Sequence, residues 1–254
     1  MTTPHILILG GTFEARRLAE KLASHAKVTL SLAGRTAAPL KQAGHVRTGG
    51  FGGASGLATY LRDNAVDILV DATHPFAARI SANAALAARE TNIPLIVLER
   101  PAWEKIAGDH WIEAKDVRES VTLLGATPRN VFLAIGRQEL LPFRAAPQHH
   151  YIIRSVDPVP PDLALPNAQF ILDRGPFDAD AEKALFAAHR INILVAKNSG
   201  GDATYGKIAA ARALKVPVAM IRRPGIRHPD SVSTCDEALA RIRHVVAFSE
   251  NRGE

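Results

Sequence analysis

Ile6-Leu7-Ile8-Leu9-Gly10-Gly11-Thr12-Phe13-Glu14-Ala15 joins a short apolar run to a glycine turn and then to a segment, Thr12 to His25, in which Ala15, Leu18, Ala19 and Leu22 recur at helical spacing. One apolar helical face beside a buried strand predicts a strand, a turn and a helix packed back on a sheet. Glycines allow the turn to be tight and let a phosphate approach bare backbone. The helix N-terminus adds unsatisfied N–H groups and the positive end of its dipole. Thr12 is placed to cap the helix or donate its hydroxyl. Gly10-Gly11-Thr12 departs from the common G-x-G-x-x-G, and a turn with no ligand uses the same residue types.

The same alternation continues outward from this stretch. Strands are expected at His5–Leu9, Val28–Leu32, His45–Thr48, Ile68–Asp71 and Leu95–Leu98, with helices at Thr12–His25, Gly56–Asn64 and Ala77–Glu90 between them. Glu99–Gly108, with Arg100, Pro101 and Trp103, breaks the rhythm, and a second series follows. Its strands are expected at Trp111–Glu113, Val131–Ile135, Tyr151–Arg154, Phe170–Leu172, Ile193–Ala196 and Val218–Ile221, and its helices at Val117–Leu124, Ala179–His189, Tyr205–Leu214 and Cys235–Phe248. The expected fold class is therefore α/β: two doubly wound Rossmann-like domains with parallel sheets and an interdomain cleft, divided into residues 1–100 and 101–254.

The end of the second strand discriminates between nicotinamide cofactors. An acidic residue there holds a ribose 2′-hydroxyl, whereas an arginine accommodates a 2′-phosphate. The chain reads Ser31-Leu-Ala-Gly-Arg35, with no carboxylate, so NADPH is expected rather than NADH. Gly49-Gly50-Phe51-Gly52-Gly53 and Asp71-Ala-Thr73-His74-Pro-Phe76 also leave carboxyl ends of strands, the side on which open α/β sheets bind ligands.

Composition bounds the rest. Of 254 residues, 47% are apolar and 22% charged, as in a globular protein. The single cysteine, Cys235, excludes an intramolecular disulfide. Residues 1 to 5 lack a basic-then-apolar leader, and no apolar run approaches the ~18 to 20 residues that span a bilayer. A cytoplasmic protein without membrane attachment is expected. The formal charge is +6, with 11 Lys/Arg against 7 Asp/Glu in residues 1–100 and 13 against 9 in residues 131–230. Without a basic stripe bearing aromatic platforms, this favours an anionic small ligand over nucleic acid. Adjacent His149 and His150 point apart in a strand, and no metal-ligand spacing occurs, so no metal is expected.

Basic residues recur at or just beyond the later strand ends: Arg137, Arg154, Arg174, Lys197 beside the glycine turn Asn198-Ser199-Gly200-Gly201, and Arg222–Arg223. Repeated positive charge at strand ends suits several anionic groups on one ligand.

Taken in order, Ile8-Leu-Gly-Gly-Thr-Phe-Glu-Ala15, Gly49-Gly-Phe-Gly-Gly53, Asp71-Ala-Thr-His-Pro-Phe-Ala77, Ile135-Gly-Arg-Gln138, Asp173-Arg-Gly-Pro-Phe177, Lys197-Asn-Ser-Gly-Gly201 and Met220-Ile-Arg-Arg-Pro224 resemble the precorrin-6A reductase family of cobalamin biosynthesis. The resemblance implies NADPH-dependent reduction of one double bond of an anionic tetrapyrrole, with hydride to C19, a proton to C18 and precorrin-6B as product. It implies a cofactor site of Gly10, Gly11, Thr12, Phe13, Glu14, Ser31, Arg35, Gly50, Thr73 and His74. The substrate site would comprise Phe51, Gly52, Arg137, Arg154, Arg174, Lys197, Asn198, Ser199, Gly200, Gly201 and Arg222, with Lys197 and His74 as candidate proton donors. Two other readings stay open: an NADP-binding sensor or carrier without turnover, and cobalt-precorrin-6A as the substrate. A small-metabolite reductase with Tyr-x-x-x-Lys is disfavoured, since Tyr60, Tyr151 and Tyr205 have no lysine four residues on. Oligomeric state is not legible in the sequence.

Overall fold

The computed structural model describes residues 3–34, 36, 40–225 and 230–250, the last three by backbone alone. It divides into two units, Met1–Pro101 with Pro224–Glu254, and Ala102–Arg223.

The first unit contains β1 (His5–Leu9), α1 (Phe13–Leu22), β2 (Lys27–Leu32), β3 (His45–Thr48), α2 (Ala54–Asp63), β4 (Ile68–Asp71), α3 (Ala78–Thr91) and β5 (Leu95–Val97). Its sheet runs β3-β2-β1-β4-β5 with every pair parallel. The pleat of β1 shows why both faces are covered. Ile6 and Ile8 enter one buried cluster with Ala15, Leu18, Ala19 and Leu22 of α1; Leu7 and Leu9 enter another with Leu57, Leu61 and Ala84 of α2 and α3. Helix α1 is shorter than expected because Thr12 is its N-cap, accepting from Ala15 N–H, and Ala23 closes its other end.

The second unit contains β6 (Trp111–Ala114), α4 (Val117–Thr122), β7 (Asn130–Ala134), β8 (His150–Ser155), β9 (Ala168–Leu172), α5 (Ala179–Ala188), β10 (Ile193–Lys197), α6 (Gly206–Ala213) and β11 (Val218–Ile221). Its parallel sheet is ordered β6-β11-β10-β7-β8-β9. Phe132, Ile152 and Leu194 pack beneath α5 and α6 through Phe186, Ile208 and Ala211.

The expected domain division needs one correction. The last helix, α7 (Cys235–Glu250), belongs with the first unit. Ala238 and Ile242 are buried in the α1 cluster. Val232 bonds on both sides of Leu98, receiving from Glu99 N–H and donating to the Val97 carbonyl, and so extends the sheet beside β5. Residues 102–223, rather than 101–254, form the second unit.

Among the described residues no helix is long and apolar enough to cross a membrane.

Candidate functional site

In an open parallel sheet a crevice forms where adjacent strands send their connections to opposite faces. In the first unit that point lies between β1 and β4, above Gly10-Gly11-Thr12 and Asp71-Ala72-Thr73-His74. The two loops are tied together by the Thr12 hydroxyl, which donates to the Ala72 carbonyl at 2.7 Å. Gly10 is locked in place: its N–H donates to the Ser31 carbonyl at 2.9 Å, and a Cβ would meet Leu30 Cδ1 at 2.7 Å. Gly11 is its opposite. It holds φ +106°, and a Cβ there would meet nothing within 4 Å. The turn thus presents bare backbone to open space. Phe13 and Glu14 add first-turn amides that have no intrahelical acceptor. These features fit a pyrophosphate.

Neighbouring side chains are largely committed. The Glu14 carboxylate accepts from Arg100 at 2.6 Å, so Glu14 offers a ligand its backbone and not its charge. Asp71 is buried, and its Oδ1 accepts from the Thr73 N–H at 3.1 Å and hydroxyl at 2.7 Å. His74 Nδ1 accepts from Phe76 N–H at 3.2 Å, which leaves the ring proton on Nε2. Asp71, Thr73, His74, Ser81 and Glu99 line a pocket at the ends of β4 and β5.

At the adjoining ends of β2 and β3, Ser31 and Arg47 are register partners. Arg35 lies outside the described residues. Arg47 was not among the expected site residues. Its Nη1 donates to Ser31 Oγ at 3.1 Å and to the Gly49 carbonyl at 2.7 Å; its Nη2 donates to the Gly50 carbonyl at 2.7 Å. The guanidinium lies 3.7 Å from the Phe51 ring centroid. Phe51, expected at the substrate, is therefore part of the first unit, packed edge-on against Tyr60, with Gly52 beside it at φ +80°.

In the second unit the corresponding point lies between β7 and β10. It brings together the short 3₁₀ turn Arg137–Glu139 and the Lys197–Gly201 loop. Here the side chains carry the charge. Lys197 is ion-paired with Glu139. Arg137 donates to the Pro158 carbonyl at 2.9 Å and faces Asp157 at 3.8 Å. The Asn198 side chain is used internally, accepting from Trp103 N–H and donating to Trp103 O. Ser199 and Gly200 are buried within the loop. Arg223 donates to the carbonyls of Asn198 at 2.9 Å and Ser199 at 3.0 Å. Arg222, one of the expected substrate contacts, is exposed and 3.9 Å from Glu113. Arg174 is half-buried just past the end of β9, where the connection to α5 begins.

Arg154, one of the expected substrate contacts, is turned into the interior. Its side chain is 5% exposed and its guanidinium forms a two-pronged pair with Glu182, itself 3% exposed. The group also lies 3.5 Å from the Phe177 ring centroid. The cause is strand parity: Ile152 and Arg154 share one face of β8, and that face lies under α5. Among the described residues no group of three or more His, Cys, Asp or Glu could hold a metal ion.

The chain matches the family model for precorrin-6x reductase CbiJ/CobK over residues 5–243. It is 55% identical over 249 residues to the precorrin-6A reductase of a Sinorhizobium species, covering 97% of this chain and 95% of the relative. It is 45% identical to that of Rhodobacter capsulatus, over 92% and 94%. A cobalt-precorrin-6A reductase of Priestia megaterium is 29% identical, over 92% and 96%. A solved structure of CobK precorrin-6A reductase superimposes with a TM-score of 0.92 at 43% identity, covering 96% of this chain and 97% of that one. With both parallel sheets and nearly the whole length in common, the chain belongs to the precorrin-6x reductase family of oxidoreductases.

Proposed function

We propose that this protein reduces precorrin-6A to precorrin-6B with NADPH, the first unit holding the nucleotide and the second the tetrapyrrole. The observation that carries the cofactor half is the Gly11 turn, bare backbone at a helix start with room for a pyrophosphate. The absence of an acidic residue at the end of β2 supports NADPH over NADH. NADPH supplies a hydride to one carbon of the double bond, and the neighbouring carbon takes a proton.

The chain's own part is positioning and charge. Gly10 and Gly11 set the depth of the turn, and the Phe13 and Glu14 amides would hold the phosphates. Thr12 fixes the β1 turn to the β4 loop, which aligns the Thr73–His74 pocket with the nucleotide end of the sheet. In the second unit Arg137, Arg174 and Lys197 meet the substrate's carboxylates, and Arg223 braces the loop that carries Lys197. Lys197 is the proposed proton donor. Its ammonium stands at the topological switch point, whereas the His74 ring is tied to its own loop.

Identity to the precorrin-6A reductases, 42–55%, exceeds the 27–30% identity to the cobalt-precorrin-6A reductases, which favours the metal-free substrate. Anaerobic incubation with NADPH and precorrin-6A, with both absorbance spectra followed, tests the proposal. Matched loss of NADPH and change of the macrocycle is expected. A folded protein that binds both and changes neither is a carrier. Repeating the assay with NADH and with Arg35→Ala tests the cofactor choice; an unchanged NADPH preference in that variant removes Arg35 from the 2′-phosphate site.

A further inference from the structure

Most basic side chains near the strand ends are neutralised internally. Arg100 faces Glu14, Lys197 faces Glu139, Arg137 faces Asp157, and Arg154 faces Glu182. Arg47 is held differently. Among the described residues every hydrogen bond it makes goes to a neutral oxygen: Ser31 Oγ and the carbonyls of Gly49 and Gly50. Its charge is held in place without being cancelled.

We infer that Arg47 is the residue that grips the 2′-phosphate of NADPH, an inference that rests on the NADPH reading above. Four features converge. The guanidinium stands at the end of β3 directly beside Ser31 at the end of β2, the place where a dinucleotide fold meets the ribose 2′ substituent. Of its five N–H groups three are used, leaving Nε–H and one Nη2–H, whose nitrogens share one edge of the planar group and can hold two oxygens of one phosphate. Because Ser31 Oγ accepts from Arg47, its own O–H is left to donate to a third phosphate oxygen. Finally, the plane is immobilised against Phe51 at 3.7 Å, with Tyr60 at 5.1 Å, so little side-chain freedom is lost when the phosphate arrives.

The same contacts would also serve a plain brace for the Gly49–Gly50 loop, and the test separates the two roles. Dissociation constants of NADPH and NADH are measured by calorimetry for the unmodified protein, Arg47→Ala and Arg47→Lys, with thermal melting as the check on folding. If Arg47 grips the 2′-phosphate, Arg47→Ala weakens NADPH by about 30- to 100-fold and NADH by less than about threefold. Arg47→Lys, which keeps the charge but loses the fork, falls between. Equal weakening of both nucleotides, or of neither, overturns the inference and leaves Arg47 as a loop brace. Should Arg47→Ala fail to fold, the lysine variant decides by the same criterion: a loss of about fivefold or more for NADPH alone supports the assignment, and a shared loss overturns it. If the unmodified protein itself binds NADH as tightly as NADPH, the cofactor reading fails first. A preserved NADPH preference in both variants instead strikes Arg47 alone.

Discussion

The two switch points solve opposite problems with opposite materials. Between β1 and β4 the first unit offers backbone and open space, and its nearby carboxylates are already satisfied, Glu14 by Arg100 and Asp71 by Thr73. Between β7 and β10 the second unit offers charged side chains, each steadied by an acid of its own. A nucleotide carries a compact phosphate that backbone N–H groups can surround. A macrocycle with carboxylate arms spread around its rim needs longer side chains to reach them. The difference also shows that an excess of basic residues is not the same as available positive surface. Arg154 contributes to the net charge, yet it serves only the interior.

The largest effect should come from breaking that interior pair. Glu182→Ala leaves a buried, unpartnered guanidinium and is expected to cost about 3–5 kcal/mol. Thermal unfolding should show the loss in the second unit while the first unit still binds nucleotide. If nucleotide binding and the whole melt collapse together, the units are less independent than their separate cores indicate.

Next in size is Gly11→Val, which fills the open space of the first switch point. NADPH and NADH should both weaken by about 100-fold in a nucleotide titration, since the lost contact is to the phosphates they share. Selective loss of one would move the phosphate site elsewhere.

A pH experiment isolates the second unit. Burial pushes the Tyr151 hydroxyl up to about 12; it donates to the carbonyls of Phe143 and Ala146. The folded state holds this proton more tightly than the unfolded chain, so the stabilisation is complete below the unfolded value near 10. It should be lost as pH rises from about 10 to 12, to the extent of roughly 2–3 kcal/mol. Chemical denaturation across that range should show the slope, and Tyr151→Phe should flatten it.

The smallest effect belongs to Thr12→Ala, about 1 kcal/mol from the lost helix cap. A drop in Tm accompanied by a modestly weaker NADPH titration would fit Thr12 as both cap and link to Ala72. An unchanged Tm would deny the cap.

Much of the first unit was legible because its determinants are local. Ala15, Leu18, Ala19 and Leu22, chosen by spacing alone, are the buried residues of α1. The unbroken apolar run of β1 is what a strand covered on both faces requires. What escaped depended on contacts distant in sequence. Helix α7 has no local mark of which sheet it will cover; the Val232 pairing beside β5 and the burial of Ala238 and Ile242 against α1 return it to the first unit. Arg47 looked like an ordinary strand residue until β2 and β3 paired and placed it beside Ser31. The burial of Arg154 is itself legible: two residues after Ile152, on the same face as a core residue, it is marked for the interior by the period of the strand. Glu182 in the first turn of α5 was the matching acid.

The division of labour between the switch points is tested most directly by paired titrations. NADPH and the tetrapyrrole product are each titrated into Gly11→Val and into Lys197→Ala, with turnover measured for the latter. Crossed losses are expected. Gly11→Val loses NADPH and keeps the tetrapyrrole within about threefold, while Lys197→Ala keeps NADPH, weakens the tetrapyrrole by about tenfold and slows turnover even at saturating substrate. Losses that fall equally on both ligands in both variants would contradict it.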